Sequence, residues 1–113
     1  MDQNIPKPIE QSVTRFVQEA TRLYPIRQAY LFGSHVAGKA QPWSDIDLAL
    51  ISEDFVEDTF EDAVRLSVLA SKVDSRLEIH LFTPKQCGLD SALFQQVVRS
   101  GVKLQLQPTH PSP

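Results

Sequence analysis

Ile9, Val13, Phe16, Val17, Ala20 and Leu23 recur every three to four positions, which predicts an amphipathic helix over residues 9–23, ended by Pro25. The period then shortens. "QAYLF" (28–32) is a short apolar run that reads as a strand. In "DIDLALIS" (45–52), Ile46, Leu48 and Leu50 alternate with Asp45, Asp47 and Ala49, so each set lines one face of a second strand. Helical spacing returns over about 58–72, with Asp58 and Glu61 as a capping box and Phe60, Val64, Ser67 and Val68 as the expected buried face. "RLEIHLF" (76–82) alternates again, with Leu77, Ile79 and Leu81 opposite Glu78 and His80. Asp90 is placed to cap a short helix that runs to Ser100 and ends at Gly101, and "VKLQL" (102–106) reads as a fourth strand at a sheet edge.

This order predicts an α+β domain: one mixed four-stranded sheet with its helices packed on one face, leaving the other face open for a site. The domain is expected to occupy residues 9–106. Prolines in residues 1–8 and in the tail "QPTHPSP" (107–113) mark a flexible start and a Pro-rich end. With 113 residues, 42% hydrophobic and 22% charged, the chain suits one globular domain. No apolar run approaches a membrane span, and the first residues lack the basic start and apolar core of a signal peptide. One cysteine, Cys87, excludes an internal disulfide, and the cytoplasm is the expected compartment. A net charge of −3 without a basic block argues against a long nucleic-acid partner. The edge strand and small core suit a homodimer or hetero-complex.

Candidate chemistry gathers in "YLFGSHVAGKAQPWSDIDLALIS", where a strand opens with two aspartates although aspartate is a poor strand former. Residues two apart on a strand project from one face, roughly 6.5–7 Å apart, so Asp45 and Asp47 repel each other unless a cation sits between them. Magnesium suits such a pair, being held by one or two carboxylates and by substrate phosphates. Glu78 is the third candidate. If its strand lies beside the first, three carboxylates converge, as two metal ions require. Gly33 and Ser34 follow the strand "YLF" directly; glycine permits a sharp turn, and the turn's N–H groups with the Ser34 hydroxyl can hold phosphate oxygens. Gly38 keeps the following loop free of clash.

Gly33-Ser34, ten intervening residues, then Asp45-Ile46-Asp47 resembles the signature of the polymerase-β-like nucleotidyltransferase superfamily, and the short chain resembles its minimal nucleotidyltransferase (MNT) branch over roughly residues 10–106. The resemblance implies that Asp45, Asp47 and Glu78 are catalytic and bind magnesium, two ions being expected. It also implies that Gly33 and Ser34 grip a nucleoside triphosphate. The implied reaction is attack of a hydroxyl on the α-phosphorus with loss of pyrophosphate, with ATP as the expected substrate. The implied partner is a small helical HEPN-type protein modified in a toxin–antitoxin pair. Two positions depart from the pattern: Glu78 stands where aspartate is usual, and His35 stands where arginine often follows Gly-Ser, so that the phosphate site is weaker or Lys39 takes over. These departures leave one alternative, an antitoxin or scaffold that acts by contact without turnover; the open site leaves a second, a subunit of a small-molecule nucleotidyltransferase. Among other residues, Trp43 is expected to pack over its loop, His80 to be a half-exposed structural histidine, and Cys87 to be inert. His35 is divided evenly between a structural and a phosphate-side role.

Overall fold

The computed structural model describes residues 5–55, 60–83 and 92–104. Helix α1 spans Lys7–Leu23 and buries Ile9, Val13, Phe16, Val17 and Ala20. It begins two residues before the predicted start, because Pro6 at the N-cap and Pro8 in the first turn sit where no intrahelical donor is needed. Its end follows from Pro25: the preceding Tyr24 is extended and its N–H bonds the Ala20 carbonyl. Strand β1 (Gln28–Phe32) leads into a one-turn helix α2 (Ser34–Ala37), an element absent from the sequence reading. Then come β2 (Ile46–Ile51), α3 (Phe60–Val73), β3 (Leu77–Phe82), α4 (Ala92–Ser100) and β4 (Val102–Lys103).

The four strands form one mixed sheet in the order β3-β2-β1-β4. β1 runs antiparallel to β2 and β4, while β2 and β3 are parallel, with α3 as their crossover. β2 is central, and Asp47 is its one residue that is not buried. Ile46, Leu48 and Leu50 join Ala29, Leu31 and the buried face of α1 in the main core, with Leu77, Ile79 and Leu81 packed against it. Each fully buried large apolar side chain there contributes about 1.5–3 kcal/mol.

α3 lies on the same face, but with a different side inward from the one predicted. Leu66 and Ala70 are buried, Leu69 and Val73 pack against the core, and Phe60, Val64, Ser67 and Val68 are exposed. The helix carries apolar residues on two sides, and periodicity alone ranks neither. The inward side holds four at spacings of three, four and seven, and its rotation is tied to the end of α1: the Tyr24 hydroxyl donates to Asp62 at 2.6 Å and accepts from Arg65 at 3.0 Å.

The long helices α1 and α3 thus share one face, as expected. The shorter α4 packs on the opposite face, where Phe94 and Val97 cover Tyr30, Ala49, Ile51 and Phe82. Phe94 meets Tyr30 and Phe82 edge to face at centroid distances of 5.9 and 5.3 Å. Gly101 ends α4 because a Cβ there would overlap the Val97 and Leu31 carbonyl oxygens. Among the described residues, α4 thus covers the second face around Tyr30, Ala49, Ile51 and Phe82, and the end that carries Asp47 and Glu78 stays partly exposed. No helix among the described residues is long and apolar enough to cross a membrane. Asp58, Cys87, Asp90, His110, residues 1–4 and the tail 107–113 lie outside the described residues.

Candidate active site

The register of the sheet assembles the site. Phe32 pairs with Asp47 across β1–β2, and Asp47 pairs with Glu78 across β2–β3, so one row carries both carboxylates. The next row pairs Ala49 with His80. His80 Nε2 lies 3.3 Å from Asp47 Oδ1 and 3.9 Å from Glu78 Oε1, and its ring packs against Phe32 at a centroid distance of 5.1 Å. Ligand atoms of Asp47, Glu78 and His80 all lie within 4.8 Å of one another. Asp45, exposed just before β2, reaches the same patch and shares a hydrogen bond with the Glu78 carboxyl. That bond, with burial and the Asp47 charge, raises the Glu78 carboxyl above its ordinary range. Asp47, Glu78 and His80 form a donor set that a divalent cation fits, because it would relieve the repulsion between the carboxylates, whereas Asp45, predicted as a fellow ligand, stands outside this close group. His80 is partly exposed, as expected, and the structure also brings its ring against both carboxylates. Its position two residues after Glu78 on the same strand face was the available signal.

Gly33 brings the turn and the carboxylates together. Its φ of 88° lies in the region closed to most side chains, and a Cβ at this position would overlap the Asp47 carboxylate oxygen Oδ2. The backbone before Ser34 therefore abuts a candidate metal ligand directly. Ser34 opens α2, and the turn is closed by the Val36 N–H donating to the Gly33 carbonyl at 3.1 Å. Gly38 caps α2 with a φ of 77° and nothing near its missing Cβ. Its requirement is conformational; the loop does not crowd it.

The loop between Gly38 and Asp45 is pinned at several points. Ser44 N–H donates to the Gln41 carbonyl at 3.0 Å, and Gln41 N–H donates to Ser44 Oγ at 2.8 Å, closing the turn Gln41-Pro42-Trp43-Ser44 from both sides. His35 is only 8% exposed, and its Nε2 lies 3.2 Å from the Ser44 carbonyl, which requires the proton on Nε2. Its ring is thus a loop anchor, turned inward. From the other side, Arg76 Nη1 donates to the Pro42 carbonyl at 3.0 Å, and Ile46 N–H bonds the Arg76 carbonyl at 2.8 Å. Trp43 itself does not pack over the loop as expected: it is 74% exposed.

Arg76 is held in turn by Asp74, whose two carboxylate oxygens accept from Arg76 Nε and Nη2 at 3.0 and 2.8 Å; Asp74 also accepts from the Ser12 hydroxyl of α1 at 2.9 Å. Hydrogen bonds from Arg76 hold the Asp74 carboxyl well below the usual carboxylate range. A depressed carboxylate stabilises the fold above its unfolded value of about 4 and loses that contribution as pH falls. Asp74→Ala is therefore expected to lower stability by about 2 kcal/mol at pH 7. The difference from wild type should shrink steadily below about pH 4, as read by urea unfolding across pH. A pH-independent difference would show that packing, not the ion pair, is what Asp74 supplies.

A Gly-Ser turn thus lies against a carboxylate-imidazole cluster at one end of a mixed sheet. The family is given by the sequence itself: a model described as "Nucleotidyltransferase domain" matches residues 13–101, and the chain belongs to that family of enzymes. No curated protein matches it significantly in sequence. Among solved structures, a toxin–antitoxin complex with AMP-PNP is similar at a TM-score of 0.61 and 26% identity, covering 83% of this chain and 70% of that one. A tri-AMPylated HEPN toxin in complex with MNT antitoxin, from Shewanella oneidensis, matches at a TM-score of 0.59 and 24% identity over 84% of this chain and 70% of that one. A structure from Sulfolobus solfataricus shares the fold at a TM-score of 0.57 and 17% identity, over 90% of both chains.

Proposed function

We propose that the protein transfers AMP from ATP to a hydroxyl of a partner protein, a HEPN-type toxin that it neutralises by modification. The observation that carries this reading is the contact of the Gly33 backbone with Asp47, whose register partner on the next strand is Glu78. A phosphate grip in contact with a carboxylate cluster would put the α-phosphorus of a triphosphate beside the charged row, which supports this reading. Gly33 and Ser34 would hold the outer phosphates, which leave as pyrophosphate. Asp45, Asp47 and Glu78 would hold magnesium, with His80 alongside. The metal, when bound, supplies Lewis-acid stabilisation of charge on the transferred phosphoryl group. Glu78, at the edge-strand end of the row, would orient the acceptor hydroxyl and help to remove its proton as oxygen bonds to phosphorus. The complex with AMP-PNP, at 26% identity, supports a nucleotide at this site, and the AMPylated HEPN toxin supports the acceptor class.

The test is to incubate the protein with MgATP and the product of the gene adjacent to its own, and to measure intact masses of both chains. One or more added adenylates on the neighbour are expected. A stable complex whose chains keep their masses would overturn the enzymatic reading in favour of neutralisation by contact.

A further inference from the structure

Trp43 is the most exposed large apolar side chain among the described residues and the chain's only tryptophan. Its exposure is not a matter of a loose loop. The turn that carries it is closed by two Gln41–Ser44 hydrogen bonds and tethered by His35 on one side and Arg76 on the other. An indole held this way has already lost much of the freedom that binding would remove, which is how a pre-organised contact gains affinity. Trp43 also stands two residues before Asp45.

We infer that Trp43 is a recognition residue for the polypeptide acceptor, at the side of the site from which the acceptor hydroxyl enters. This rests on the reading of the protein as a nucleotidyltransferase acting on a partner protein. The direction comes from the sheet. Gly33 and Ser34 follow β1, on one side of β2, so the leaving pyrophosphate lies toward β1. In-line displacement brings the nucleophile from the opposite side, toward β3 and Glu78. Pro42, the residue before Trp43, is tethered to Arg76, two residues before Glu78. The turn therefore flanks the acceptor's approach. Tryptophan in such a place is the side chain most often found to dominate a protein contact.

The experiment uses the full chain labelled with 5-fluorotryptophan, which places one fluorine probe at Trp43. Titration with magnesium α,β-methylene-ATP is expected to leave its 19F signal in place. Titration with the adjacent gene's product is expected to shift and broaden it. Trp43→Ala should raise the KM for that protein ~30-fold, the equivalent of a strong contact residue, and leave the affinity for the nucleotide analogue unchanged. A shift with the nucleotide alone would mean base stacking and overturn the inference. So would a silent signal with the neighbour. If wild type adds no adenylate, the transfer reading fails while the 19F titration still decides the contact. If transfer proceeds at unchanged KM in Trp43→Ala, the inference fails and the transfer reading stands.

Discussion

Asp47→Ala is expected to reduce adenylate transfer at least ~10³-fold while the protein remains folded. Asp47 stands at the middle of the charged row, in register with Phe32 and Glu78, within 3.3 Å of His80 and against Gly33. Metal stabilisation of a transferring phosphoryl group is worth several kcal/mol, and each 1.36 kcal/mol is tenfold in rate, so losing the central ligand removes about three powers of ten. The fold should survive because Asp47 lies on the open end of its face, away from the apolar clusters that hold β2. Rates from intact-mass time courses, with a melting curve beside them, check both halves. If the variant still protects cells from the partner toxin as well as wild type does, contact alone is the mechanism.

Gly33→Ala should be nearly as damaging, for a different reason. Alanine at a φ of 88° costs about 1–3 kcal/mol, and its methyl would have to displace the Asp47 carboxylate. A shift of about 1 Å in a positioned group can lower a rate ~100-fold. Gly38→Ala is the matched control. It carries a similar φ of 77° with nothing near the added methyl, so it should lose stability by about 1 kcal/mol and keep its rate. Equal loss of transfer in the two variants would show that strain in the backbone, not the displaced carboxylate, explains Gly33.

Much of this architecture was legible in the sequence, because its strands are short and their faces are chemically distinct. The alternation of Ile46, Leu48 and Leu50 with Asp47 placed the carboxylate on the far side of the sheet, and Leu77, Ile79 and Leu81 did the same for Glu78. Gly33 and Ser34 at a fixed distance from Asp45 and Asp47 pointed to phosphate and metal because few other arrangements need that glycine and those charges together. Where an element offered two apolar sides, as α3 does, the pattern could not rank them. The Tyr24 hydroxyl bonded to Asp62 and Arg65, contacts between residues far apart in the chain, holds the rotation seen.

The sequence by itself determined the order of the strands and of the three longer helices, the inward faces of β2 and β3, and the family. Each of these depends on spacing within a single segment. Tertiary structure alone decided that Asp47 and Glu78 are in register, that His80 joins them, that His35 turns inward to hold Ser44, and that Trp43 stands in solvent. These depend on which strands become neighbours and which loop carbonyls meet a distant donor, and no local period encodes a pairing between segments dozens of residues apart.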